Sequence, residues 1–207
     1  MSASPEFARF SPTIYADVLG SPQVIRGNIR AMWPAMPRIA GPAYPVQCPP
    51  GDNLMLHAAI YRAAPGDIIV VQAGDCDYAL SGGNVCMTAQ QRGITGFVCA
   101  GVIRDVAEVR AAKFPVFAQG VVPVPGNKQA LGLLNQPIWC GGVTVHPGDI
   151  VIADEDGIVV IPVEQSETIW IQAQRRAMQE NQQALADWQA SHRAKIDRTL
   201  QDLGFTE

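Results

Sequence analysis

The sequence predicts a mixed α/β layer fold that ends in a long helix, and three observations carry that prediction. Apolar runs of strand length, Ile68 to Ala73 and Ile158 to Pro162 among them, recur between Pro- and Gly-containing turns. Around residues 68–100 such runs alternate with a helical pattern, and strand, helix, strand in that order implies a right-handed crossover joining parallel strands. From Val163 onward the composition changes abruptly to Gln, Ala, Glu and Arg. With 207 residues, 48% hydrophobic and 16% charged, the chain can bury one sizeable core. Residues 1–162 are expected to form one α/β domain and residues 163–207 a helical extension.

Residues 1–50 are rich in Pro and Gly, with a short helix expected around Ile14 to Leu19 and a strand entering at Arg38 to Ala43. After Pro49-Pro50-Gly51-Asp52, the apolar residues Leu54, Ala58 and Tyr61 repeat at helical spacing over Asn53 to Ala64, and Asp52 is positioned to cap that helix. His57 lies inside it and reads as structural. Pro65-Gly66-Asp67 turns the chain into IIVVQA, a β-branched run suited to a strand buried on both faces. A second helix fits Asn84 to Gln91 with Gly93 as its stop, followed by an apolar strand over Gly96 to Ala100. Further strands fit Val116 to Gln119 and Val143 to His146, and Ile150 to Ile161 reads as a hairpin about Glu155-Asp156-Gly157. PGDIIVVQAGD at Pro65 and PGDIVIADEDG at Pro147 echo each other, as a good turn before any strand would.

Between Val163 and Gly204 no Pro or interior Gly interrupts the pattern, so one long helix is expected. Trp170, Ala173, Ala177, Ala184, Trp188, Ile196, Leu200 and Leu203 form its drifting apolar stripe. At ~1.5 Å rise per residue it would far exceed the ~17 Å radius of gyration of a compact chain this size. It must break or project onto a neighbour, and its two Trp residues favour a subunit contact.

Net charge is -4 with a pI near 5.3, and no Lys/Arg run stands out, which argues against nucleic acid as a direct ligand. No apolar stretch approaches the ~20 residues of a membrane helix. The start, MSASPEFARFSPT, lacks the charged-then-apolar pattern of a secretory signal, so a cytoplasmic location is expected. The five cysteines, Cys48, Cys76, Cys86, Cys99 and Cys140, form no C-x-x-C pair and read as buried thiols of a reduced compartment. Three histidines, His57, His146 and His192, form no i, i+4 pair, so any metal is expected to see oxygen ligands.

Two stretches carry candidate chemistry. In SGGNV, Ser81 to Val85, paired glycines precede a helix whose first N–H groups, over Gly82, Gly83, Asn84 and Val85, can receive a carboxylate or phosphate. In GVIRDVAE, Arg104 and Asp105 follow a buried strand, at the carboxyl end where open α/β sheets put ligands. Arg104 offers a fork for a carboxylate, Asp105 a hard oxygen for a magnesium-like ion, and Glu108 would share a helical face with Asp105.

The run ALSGGNVCMTAQQRGITGFVCAGVIRDVAEV, Ala79 to Val109, resembles the core motif of the RraA-like family, which includes the regulator of ribonuclease activity A and the class II 4-hydroxy-4-methyl-2-oxoglutarate aldolases. Supporting stretches, IAGPA, GDNLMLHAAI, PGDIIVV, FPVFAQG and GGVTVHPGDIVIADEDGIVVIP, extend the likeness over residues 38–162. The resemblance implies a three-layer β/β/α swivelling-type domain and a homo-oligomer, trimer or hexamer, with sites between subunits. It implies a lyase, aldolase or decarboxylase, acting on a short 2-oxo acid such as oxaloacetate or 4-hydroxy-4-methyl-2-oxoglutarate through a pyruvate enolate. Arg104 would bind the 2-oxo acid end, Asp105 would hold a divalent metal, Mg2+ or Mn2+, Glu108 would join the catalytic group, and the loop to Val85 would receive the substrate carboxylate. It also allows, as the alternative, a non-enzymatic protein-binding regulator. One departure bears on the choice: Gly83 stands where family aldolases commonly carry an acidic residue, 21 positions before the Arg. The Glu that some of them contribute from a neighbour's C-terminal region has no match here.

Overall fold

The computed structural model describes residues 5–26, 28–182 and 184–205, without the side chains of residues 5, 181 and 182. Residues 1–4 of the N-terminal stretch read above lie outside it. Helix α1 (Pro12–Leu19) opens on Ser11, whose side chain accepts from Ile14 N. The strands follow as β1 (Arg30–Ala31), β2 (Ile39–Gln47), β3 (Ile68–Gln72), β4 (Gly96–Ile103) and β5 (Val116–Val121), then the hairpins β6 (Ile138–Cys140)/β7 (Val143–Val145) and β8 (Ile150–Asp154)/β9 (Gly157–Ile161). Helices α2 (Leu54–Ile60), α3 (Gly83–Gln91) and α4 (Val106–Ala111) connect β2, β3, β4 and β5.

A seven-stranded sheet in the order β1-β5-β4-β3-β2-β8-β9 forms the centre. β2 through β5 run parallel, Ile68↔Gly96 opening the β3/β4 register, as expected for right-handed crossovers. β2 serves two partners: Ile39–Pro42 pairs antiparallel with β8, and Ala43–Gln47 pairs parallel with β3. Successive residues Ile68, Ile69, Val70 and Val71 are all 0% exposed, so β3 is covered on both faces. Helix α2 and the β6/β7 hairpin both pack on it, giving three layers of hairpin, sheet and helices.

Both Pro-Gly-Asp echoes are one turn built twice: Asp67 Oδ2 accepts from Ala64 N and Asp149 Oδ2 from His146 N, each at 2.8 Å. A second, smaller core joins Tyr15, Ile152, Val159 and Ile161 to Ile169 and Ala173 of α5 (Ser166–Gln182).

Several elements differ from the sequence reading. The single C-terminal helix is broken: Ala184 is extended (φ -65°, ψ 146°) and α6 (Leu185–Asp202) starts after it. Gln183, also inside the predicted helix, lies outside the described residues. Helix α5 buries Ile169, Ala173 and Ala177 on its own chain, and the Trp170 ring packs tilted against Phe7 and Phe10, with centroids 5.3 Å and 5.1 Å away. Helix α6 buries nothing, so no packing favours carrying one straight helix through. Cys76 is exposed, unlike the other four cysteines, because it sits in the loop after β3. Strands β1 and β6, too short for a periodic signal, were not anticipated.

Candidate functional site

The four parallel strands β2, β3, β4 and β5 each end on one side of the sheet, and the segments that leave them converge on one cleft. Asn53 and His57 come from the β2–α2 passage, Ser81, Gly82, Asn84 and Val85 from β3–α3, Arg104 and Asp105 from β4–α4, and Pro125 and Lys128 from the segment after β5. The cleft holds about 80 Å³ of free space, several times the ~10–15 Å³ that one water needs on this measure.

At its centre the chain turns sharply. Asp105 has φ 57° and ψ 39°, a left-handed conformation that Asp tolerates better than most residues but that still costs about 1–3 kcal/mol. The turn brings the Asp105 carboxylate over the start of α3, where Oδ2 accepts from Gly83 N at 3.2 Å. Arg104 N donates to Ser81 O at 2.9 Å, tying the end of β4 to the segment that enters α3. Arg104 Nε lies 3.4 Å from Asp105 Oδ2 with both side chains over a third exposed, an ion pair worth at most about 1 kcal/mol. Arg104 is therefore free to exchange this partner for a ligand carboxylate.

The glycines are required by close approach. A Cβ at Gly82 would collide with Asp105 Oδ2 and lie 3.0 Å from Arg104 Cγ. A Cβ at Gly83 would collide with Glu108 Oε2 and lie 3.0 Å from Glu108 Cβ and Cδ. Glu108, on the first turn of α4, thus fills the space a side chain at position 83 would take, and it does not line the cleft. Cys86 is held against Ser81 (Sγ to Oγ 3.2 Å), and burial pushes its thiol up to about 12, so it stays protonated.

Sequence reasoning missed the other half of the lining. Asp52, buried, accepts from Leu54 N (2.8 Å), Gln129 N (2.6 Å) and Ala130 N (3.0 Å). Burial raises its carboxyl, but these N–H groups and Lys128 outweigh that and hold it below its usual range. Asp52 thereby clamps the 127–130 segment, and Asn53 N donates to Asn127 O at 2.8 Å; Lys128 is carried to the cleft by these bonds. His57, read as structural, lines the cleft. Its imidazole is pushed down to about 4 by burial and by Lys128, against the pull of Asp52, and it is neutral at neutral pH. Asn53 Nδ2 donates to Ala79 O, whereas buried Asn53 Oδ1 and His57 Nε2 have no partner among the described residues. The Asp52-Asn53 pair beside a turn was the available signal, but spacing alone cannot connect it to Lys128.

Fold and cleft together define an α/β protein whose parallel strands gather Arg104, Asp105, Lys128 and the start of α3 around one cleft at their carboxyl ends. The chain belongs to the RraA-like family: the family's model, described as Aldolase/RraA, matches residues 14–160. It is 39% identical over 171 residues to a Halalkalibacterium halodurans protein named "Putative 4-hydroxy-4-methyl-2-oxoglutarate aldolase", covering 82% of this chain and 78% of that one. A Burkholderia multivorans protein of the same name is 33% identical over 141 residues, covering 65% and 85%. Among solved structures, Streptomyces coelicolor RraAS2, described as an unusual member of the RNase ES inhibitor RraA protein family, superposes with a TM-score of 0.75 at 29% identity, covering 85% of this chain and 93% of that one. Among the described residues no helix is long and apolar enough to cross a membrane.

Proposed function

We propose that this protein is a divalent-metal-dependent lyase acting on a short 2-oxo acid, either as an aldolase or as a decarboxylase. The observation that carries the reading is the left-handed Arg104–Asp105 turn packed over the Gly82–Gly83 start of α3, which gathers a cation, a carboxylate and a helix N-terminus at one point. Among the described residues no three His, Cys, Asp or Glu side chains cluster for a metal. A Mg2+- or Mn2+-type ion fits this donor set nonetheless, because such ions take one or two protein carboxylates and complete their shell with water and substrate oxygens. Asp105 would hold it, and the ion would supply Lewis acidity to the 2-oxo group. Arg104 forks onto the 2-oxo acid end, where it stabilises the charge that develops as the pyruvate enolate forms. The N–H groups of Asn84 and Val85, joined by Gly83 N where it releases Asp105 Oδ2, receive the substrate carboxylate at the start of α3.

Retro-aldol cleavage additionally needs a base for the 4-hydroxyl proton, whereas loss of carbon dioxide from oxaloacetate reaches the same enolate without one. With Gly83 in the acidic position of family aldolases, oxaloacetate is the expected better substrate. Pyruvate release from oxaloacetate and from 4-hydroxy-4-methyl-2-oxoglutarate, with Mg2+ or Mn2+ present, tests this. Activity should vanish with chelator and in Asp105→Ala. Full activity in either case refutes the metal assignment, and faster aldol cleavage than decarboxylation refutes the argument from Gly83. Likeness to an RNase ES inhibitor family, together with Gly83, favours a second reading, a protein-binding regulator, to which absence of all turnover would point.

A further inference from the structure

Aldol cleavage and decarboxylation end on one shared step to which no residue has been given. Cleavage of the C3–C4 bond leaves an enolate, which becomes pyruvate only when a proton reaches C3. Arg104 cannot supply it, because a guanidinium keeps its protons in a protein, and Asp105 would serve a metal as a carboxylate with no proton to give. The acidic position occupied by Gly83 concerns a different proton, that of the 4-hydroxyl. On the β2–α2 side of the cleft lies an imidazole, His57, that the proposed chemistry leaves unused. Its Nε2 is buried and has no hydrogen-bond partner among the described residues. Four residues earlier, on the same helical face, Asn53 Oδ1 is also buried without one. Asn53 Nδ2 donates to Ala79 O at 3.1 Å, which fixes Oδ1 as an acceptor. Polar atoms buried unpaired are costly, and they persist where a ligand or water satisfies them. A histidine that only filled the core would spend its ring nitrogens on the protein. Burial first and Lys128 second hold this imidazole neutral, against Asp52. Lys128 lines the same cleft, so an anion bound there offsets the second cause and draws a proton onto the ring.

We propose that His57 is the acid of this cleft and protonates C3 of the enolate from Nε2. Rotation of the ring about Cβ–Cγ, a soft torsion, turns Nε2 from the wall to the ligand. The electron pair of the broken C3–C4 bond becomes the enolate, C3 takes the Nε2 proton, and the C2–O double bond forms again. The imidazole is left neutral, and its next proton comes from solvent through a water held by Asn53 Oδ1. For oxaloacetate the balance is one proton taken up for each carbon dioxide released. The inference rests on the lyase reading for the enolate, and it adds the residue that completes the reaction.

Exchange of the pyruvate methyl protons in D2O with Mg2+ present runs this transfer in both directions, and NMR follows it. The wild type should exchange them. His57→Gln, which cannot carry a proton, should slow exchange by about 10²- to 10⁴-fold while calorimetric pyruvate affinity stays within about twofold. Carbon dioxide release from oxaloacetate should fall far less, because the variant lets the enolate go to be protonated in water. His57→Glu, which restores a proton carrier, should recover part of the exchange. Arg104→Gln should depress exchange and carbon dioxide release together. If His57→Gln exchanges as the wild type does, or loses exchange only in step with pyruvate affinity, the role of His57 is refuted and the lyase reading stands. The same holds if the wild type releases carbon dioxide without exchanging pyruvate. A wild type that does neither takes the lyase reading and this inference down together.

Discussion

At the scale of single residues, Gly83 and Glu108 exchange one volume. A side chain at position 83 would meet the Glu108 carboxylate and its stem, so Gly83→Asp alone forces two carboxylates together or drives Glu108 aside, and like charges at that range resist joint ionisation. A gain in aldol cleavage from an acid at position 83 therefore requires the space to be cleared. Gly83→Asp alone should lower oxaloacetate turnover and raise aldol cleavage little. Gly83→Asp with Glu108→Ala should raise aldol cleavage selectively, toward the ~10²–10⁴-fold that a positioned base contributes. Steady-state rates of the single and double variants on both substrates check this, and equal aldol rates in the two variants would remove Glu108 from the explanation.

Among the elements, the two C-terminal helices have different jobs. Helix α5 is part of the body: Ile169, Ala173 and Trp170 cover β8, β9 and α1. Each Ile-sized side chain buried there contributes about 1.5–3 kcal/mol. Helix α6 exposes Trp188 (46%), Ile196 (44%) and Leu200 (37%), continued by its C-cap Leu203 (79%), an apolar face of the kind that marks subunit contacts. We propose that α6 is the oligomer contact of a trimer or hexamer. Truncation after residue 184 should lower the mass seen by light scattering while the melting temperature of the remaining body changes little. Truncation after Val163 should collapse the melting temperature as well. A chain lacking α6 that keeps the parent mass would refute the contact.

Over the whole molecule, the parallel core was legible because buried β-branched runs and Pro-Gly-Asp turns are local signals, and IIVVQA with GFVCA sufficed to predict β3, β4 and their crossover. Arg104, Asp105 and Gly82 to Val85 were legible for the same reason, each lying in a short motif at a strand end. Asn53, His57 and Lys128 were not, since their meeting depends on three backbone bonds to Asp52 and on strand order, neither of which has a spacing. The break at Ala184 left no trace either, because no Gly or Pro marks it and the cause is the end of the surface that α5 covers.

Stability should carry the mark of His57. Its folded pKa of about 4 lies below the ordinary value near ~6.5, so between those limits the unfolded chain binds the extra proton. The stabilisation is fully present above about pH 6.5 and is lost as pH falls toward about 4. Urea midpoints measured from pH 7 to pH 4 should fall for the wild type and fall less steeply for His57→Gln; parallel curves would contradict the burial of a neutral imidazole.

The Asp52 clamp has one more consequence. On the lyase reading, the reacting end of the cleft is made by the segments that follow β3 and β4, bound to each other through Arg104 N and Ser81 O, whereas the opposite wall is a segment fastened through one carboxylate. Substrate range and chemistry would then be separately inheritable. Rewriting residues 122–137 while sparing the clamp should alter the opposite wall and leave the Arg104–Asp105 end intact, an architecture suited to divergence by loop replacement on a constant frame.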